Sequence, residues 1–128
     1  MHQLETVIGH TFKDPSLLET ALTHTSYANE AKGHVKHNER LEFLGDSVLS
    51  IVVADYLFHH WKDRPEGELT KARASLVCES ALFQFAQEID LGRYLRLGRG
   101  EEMGGGRTRP SVVSDAFEAL IAALYLDG

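Results

Sequence analysis

Apolar residues crowd the segment HNERLEFLGDSVLSIVVADYLF, residues 37 to 58. Leu41, Phe43, Leu44, Val48, Leu49, Ile51, Val52, Val53, Leu57 and Phe58 fall around most of a helical circumference there. The pattern predicts a helix from about Asn38 to His60, ended by the turn residues Asp63-Arg64-Pro65-Glu66-Gly67. A helix apolar on nearly every side is normally buried. A second strong pattern closes the chain, where Val112, Val113, Ala116, Phe117, Leu120, Ile121, Leu124 and Tyr125 recur at three- and four-residue intervals. Shorter helices are expected over residues 2–9, ended near Gly9, and after Asp14, an N-cap with Pro15 at the first helical position. Two more are expected around Leu69 to Val77 and Leu82 to Ile89. THTSYANEAKGHVKHN, residues 23–38, reads as a polar loop, and GRGEEMGGGRTRP, residues 98–110, as a mobile glycine-rich one. No stretch alternates apolar and polar residues at period two, so the fold class is all-α, in one domain of 128 residues.

Composition narrows the chemistry. With 43% hydrophobic and 25% charged residues the chain has material for a core, and its net charge of −6 gives no global attraction for nucleic acid. Any such partner must be held by local patches. Cys78 is alone, which removes an intrachain disulfide and a cysteine zinc cluster and points to a reducing compartment, hence a cytoplasmic location. No run approaches the ~18 apolar residues of a membrane span, so no membrane partner is expected.

The apolar helices carry acids. Glu39, Glu42 and Asp46 fall within an arc of about 60° on the first long helix, and Asp115 and Glu118, three apart, share a face of the last. Ionised carboxylates packed together without a cation are costly, because burial and like charge both oppose ionisation. One resolution is ion pairing with Arg40, Lys71 or Arg73. The other, favoured because the arrangement occurs on two apolar helices, is a metal site built from Glu42, Asp46, Asp115 and Glu118. Oxygen-only ligands select a hard cation, Mg²⁺ or Mn²⁺, over zinc or copper. Gly45 between the acids reads as a packing position, where another backbone approaches closely.

His24 reads as a structural residue bonding Ser26, Tyr27 or nearby backbone. The glycine-rich segment does not match a phosphate-binding P-loop, having Glu101 and Arg107 where glycine and lysine belong. Arg93, Arg96, Arg99, Arg107 and Arg109 form the one basic region in sequence, with Arg99, Arg107 and Arg109 the candidates for phosphate contacts beside the acids.

HNERLEFLGDSVL, residues 37 to 49, resembles the signature of the ribonuclease III endonuclease domain. ALTHTSYA precedes it, and EGELTKARASLV and SDAFEALIAALYLD follow, so the likeness runs from about Phe12 to Asp127. The resemblance implies metal-dependent hydrolysis of double-stranded RNA by a homodimer, leaving 5′-phosphate and 3′-hydroxyl ends with short 3′ overhangs and serving rRNA and other RNA processing. By position it makes Glu42, Asp46, Asp115 and Glu118 the catalytic, metal-binding acids, Asp46 and Glu118 foremost. Glu39 and Glu66 become supporting acids, and Phe43 an aromatic that enters the partner subunit. Residues 1–128 would be the catalytic domain, and the double-stranded-RNA-binding domain into which bacterial members continue is absent from this chain. Two rivals are a non-catalytic scaffold on the same fold and an all-α nucleoside triphosphate pyrophosphohydrolase. Retention of all four acids weighs against the first, and the wide sequence separation of the acidic pairs against the second.

Overall fold

Local signals set where the helices begin and end. The computed structural model describes residues 2–128. Gly9, at φ +73°, closes the first helix, α1 (His2–Ile8), in a left-handed conformation that a side chain would strain. Asp14 caps α2 (Pro15–Ala21), accepting the Ser16 N–H at 3.1 Å ahead of Pro15 at the helix start. In α3 (Thr25–Glu30) the cap is the His24 ring, whose Nδ1 accepts the Ser26 N–H at 3.1 Å and lies 2.8 Å from the Ser26 hydroxyl. The structural role read for His24 is realised. This helix also corrects part of the loop expected over residues 23–38: its polar sequence carries no periodic signal, and the capping group is a histidine rather than the usual Ser or Asp.

The chain continues through α4 (Glu39–His60), α5 (Glu66–Leu76), α6 (Glu79–Glu88), α7 (Arg99–Met103) and α8 (Pro110–Asp127), with single 3-10 turns at Leu91–Tyr94 and Gly106–Thr108. Among the described residues extended pairing is limited to an isolated bridge between Thr23 and Arg96, so the all-α expectation holds. No described helix is long and apolar enough to cross a membrane.

The centre of the core is α8. Val112, Val113, Ala116, Ala119, Leu120 and Ala123 are buried together with Leu4, Phe12, Leu18 and Leu22 from the first two helical segments and Ala86, Leu91 and Leu95 from the opposite side. A fully buried leucine contributes about 2 kcal/mol, and small alanines let neighbouring helices approach α8 closely. The expectation that the apolar sides of the 37–58 helix fill the core, with Phe43 left for a partner subunit, needs correction in its first part. On α4 only Gly45 and Leu57 are buried, while Phe43 is 79% exposed, Ile51 68% and Phe58 67%. One side of α4 packs on α8 and part of it meets α5, while the side carrying Phe43, Ile51 and Phe58 stays exposed among the described residues.

The glycine-rich segment is built rather than loose, a third correction. Residues 99–103 form α7, and 106–108 a 3-10 turn. The Arg107 guanidinium ties them together, donating to the carbonyls of Gly92, Arg93 and Leu95 at 2.8–3.2 Å and to both Glu102 carboxylate oxygens. Arg109 pairs with Glu101 and donates to the Gly104 carbonyl. At the other end of α8, the Asp127 carboxylate accepts the Lys13 and Asp14 N–H groups at 2.9 Å each and sits 2.8 Å from His10 Nε2.

Candidate metal centre

The site begins with a missing side chain. At Gly45 a β-carbon would overlap the main-chain carbonyl of Glu118, so α4 and α8 cross there backbone to backbone, which bears out the packing role read for this glycine. Helical geometry then places the flanking acids: Glu42 and Asp46 lie one turn before and one residue after the crossing on α4, and Asp115 lies one turn before Glu118 on α8. Glu42, Asp115 and Glu118 each offer an oxygen within 4.8 Å of the others. Asp46 stands outside this tight trio. It lines an open pocket with Glu39, Glu42, Phe43 and Glu118.

Among the described residues, none of these acids lies within 4.0 Å of a Lys, Arg or His nitrogen, so pairing with Arg40, Lys71 or Arg73 is not what holds them. The consequence is proton uptake. Burial first, then contact with and charge from Asp46 push the Glu118 carboxyl up to about 8. Glu42 rises to about 7, again by burial first and then through Asp115. Burial also raises Asp115, whose partner Glu42 opposes the shift, as expected of two carboxyls sharing a proton.

Half-buried, mutually repelling carboxylates with hard oxygen donors and no ammonium or guanidinium make a cluster that can bind a metal ion. A divalent cation would replace the protons that otherwise neutralise the site.

The structure distributes the remaining residues of interest less tightly. Glu39 reaches the open pocket, whereas Glu66 opens α5, is exposed, and does not line it. Phe43 projects from the rim of the cleft on the uncovered side of α4. Arg107 and Arg109 are engaged as described, while Arg99 is exposed at the start of α7 with no ion pair among the described residues. Two neighbours of the site escape sequence reasoning: the charge of Glu79 raises Asp115 and that of His24 lowers it. Both are far from Asp115 in sequence and lie outside the two apolar helices, so no spacing signal marks them.

Known proteins share this chain's sequence and fold. A family model described as Ribonuclease-III-like matches residues 14–128. Ribonuclease 3 of Caldanaerobacter subterraneus subsp. tengcongensis is 56% identical over 125 residues, covering 98% of this chain and 55% of that protein. Ribonuclease 3 of Listeria monocytogenes serotype 4a is 53% identical over 126 residues, with 98% and 55% covered. The chain thus spans about half the length of the curated relatives it matches. Among solved structures, the nuclease domain of ribonuclease III from Campylobacter jejuni superposes with a TM-score of 0.91 at 44% identity, covering 98% of this chain and 85% of that one. Dicer from Pichia stipitis gives 0.67 at 34% identity, covering 91% of this chain and 47% of that one. The chain belongs to the ribonuclease III family.

Proposed function

We propose that residues 1–128 act as the catalytic domain of a double-stranded-RNA endonuclease, cutting to 5′-phosphate and 3′-hydroxyl ends with short 3′ overhangs in the maturation of rRNA and other transcripts. One observation carries the reading: carboxylates from α4 and α8 converge at a backbone crossing with no ion pair to any of them among the described residues. Membership of the ribonuclease III family supports it. The lone, exposed Cys78 suits a cytoplasmic setting.

Glu42, Asp115 and Glu118, with Asp46 beside them, would hold Mg²⁺, for which Mn²⁺ can substitute. When bound, such an ion supplies Lewis-acid activation of a water and stabilisation of the departing 3′ oxygen. The chain's own part is positional. Glu118 and Glu42 release their protons on loading and present charged oxygens, and the rigid crossing at Gly45 fixes their separation. Glu39 and Asp46 line the open side, where the phosphodiester enters. No side chain has to act as nucleophile.

The uncovered apolar side of α4, led by Phe43, is assigned to a second copy of the chain. An exposed aromatic among exposed aliphatics is the usual core of an interface. Support comes from the Campylobacter nuclease domain, a structure of which is described as flexible in a region involved in dimer formation. Two such sites across one duplex would each cut one strand, and Glu66 would support cleavage from the edge of the assembled surface.

The assay offers long duplex RNA, single-stranded RNA and nucleoside triphosphates, each with Mg²⁺ or with EDTA. Cleavage of the duplex alone, and only with the ion, is expected. Hydrolysis of triphosphates only would favour a pyrophosphohydrolase, and no turnover a scaffold.

A further inference from the structure

The arginines that sequence alone selects for RNA contact are partly spent, since Arg107 is held by Glu102 and Arg109 by Glu101. A different set is unspent. Lys36, Arg40 and Arg96 line one cavity of about 760 Å³ between α2, the segment leading into α4 and the first turn of α4. Among the described residues none of the three lies within 4.0 Å of a carboxylate. The volume is within the ordinary range for ligand sites, about 300–1,000 Å³.

The charges in this cavity do not cancel. Asp14 and Glu19 also line it, but Asp14 is occupied in capping α2, accepting the Ser16 N–H and hydroxyl at 3.1 and 2.6 Å. Both keep their charge, so Lys36, Arg40 and Arg96 outnumber the two carboxylates by one and the lining stays net positive. Arg96 is held in place beforehand, its guanidinium 4.4 Å above the Tyr27 ring and donating to the Tyr27 hydroxyl at 2.9 Å. Such an ordered cation loses little freedom on meeting an anion. His34 and His37 add ring N–H donors. His37 Nδ1 accepts the Glu39 N–H at 3.4 Å, which leaves the ring proton on Nε2.

Position supplies the ligand. Arg40 follows Glu39 on the first turn of α4, with Arg40 in this cavity and Glu39 in the acidic pocket. We propose that the cavity holds a backbone phosphate of the RNA strand whose neighbouring segment crosses the acidic cleft. The assignment deepens the ribonuclease reading and rests on it. It explains how a chain of net charge −6 keeps a polyanion beside a cluster of carboxylates: the positive island and the negative one meet at consecutive residues, Arg40 and Glu39.

The test measures Mg²⁺-dependent cleavage of a long RNA duplex over a range of salt concentrations. It compares the unmodified chain, Lys36→Gln, Arg40→Gln, the double variant, and Lys62→Gln as a charge control at the far end of α4. Lys36 and Arg40 are exposed, so the fold is expected to persist, and each single variant checks the other. The double variant is expected to raise KM roughly tenfold at moderate salt and to make the salt dependence shallower by about one unit of slope for each phosphate no longer neutralised. Lys62→Gln should change neither. Cleavage with KM and slope unchanged in the double variant would overturn the cavity assignment and leave the ribonuclease reading intact. An equal loss in Lys62→Gln would reduce the effect to bulk charge and overturn it as well. Failure of the unmodified chain to cut duplex RNA would remove both.

Discussion

Gly45 meets the main-chain carbonyl of Glu118 directly, at the crossing of α4 and α8. Alanine at residue 45 would raise helix propensity by about 1 kcal/mol. It would also drive a methyl group into backbone that no side-chain rotation can move. The clash should win, with Gly45→Ala losing about 1–3 kcal/mol in urea denaturation and weakening divalent-ion binding because the acids move apart. An unchanged midpoint would show that the two helices have slack at the crossing.

Proton uptake at the acids makes a signed prediction about pH. Glu118 stands at about 8 and Glu42 at about 7 in the folded chain, against 4.5 for each when free. Their folded values are raised, so as pH climbs the unfolded chain releases these protons first and the folded state loses stability. Ion-free protein should therefore melt at progressively lower temperature from about pH 4.5 to about pH 8. Glu118→Gln should flatten the upper part of that decline and abolish duplex cleavage while keeping the helical fold. Loss of folding in this variant would make the acid structural.

Ion loading should reverse the same trend. A cation that displaces protons binds better once the acids are ionised, so the rise in melting temperature on adding Mg²⁺ should grow towards pH 8 and fade below about pH 6. At a hundredfold excess over Kd the stabilisation is about 2.7 kcal/mol. Calorimetry with and without EDTA measures it. A stabilisation independent of pH would place the ion somewhere other than these carboxylates.

Arg107 is expected to behave as a structural residue. Its guanidinium joins three carbonyls to Glu102 from a half-buried position. Arg107→Ala should cost about 2 kcal/mol in chemical denaturation, and Arg107→Lys should recover little of it, since an ammonium cannot reproduce the planar fork. A variant as stable as the parent but weaker on RNA would restore the phosphate role instead.

Phe43 tests the assembly. It is 79% exposed in the protomer, so replacing it should leave protomer stability nearly unchanged. Phe43→Glu should raise the dissociation constant of self-association about a hundredfold, as for an interface hot spot, read by sedimentation across a concentration series. A chain that remains equally associated would place the contact on another face.

Periodicity made both long helices legible, and the sequence-local caps at Gly9 and Asp14 behaved as their chemistry dictates. Hydrophobic content did not reveal which helix is central. The alanines of α8 admit close neighbours, whereas the larger residues of α4 exceed what one protomer can cover, and a count of apolar positions treats the two alike. The acids were legible because spacing on a helix is geometry. Their tight trio of Glu42, Asp115 and Glu118, with Asp46 to one side, was not, since it depends on how two helices cross. The ion pairs of Arg107 and Arg109 were not legible for the same reason: Glu101 and Glu102 lie nearby in sequence, but only the fold turns them back onto Arg109 and Arg107.

The fastening of α8 has a mechanical consequence. Asp127 grips residues 10–14 at one end, and the Arg107 knot clamps the approach to the other. The helix is thus a beam supported at both ends rather than a cantilever, and Asp115 and Glu118 ride in its span between them, where sway is small. Loosening either support, at a distance from the acids, should let the beam swing and blur the spacing of the oxygens without touching them.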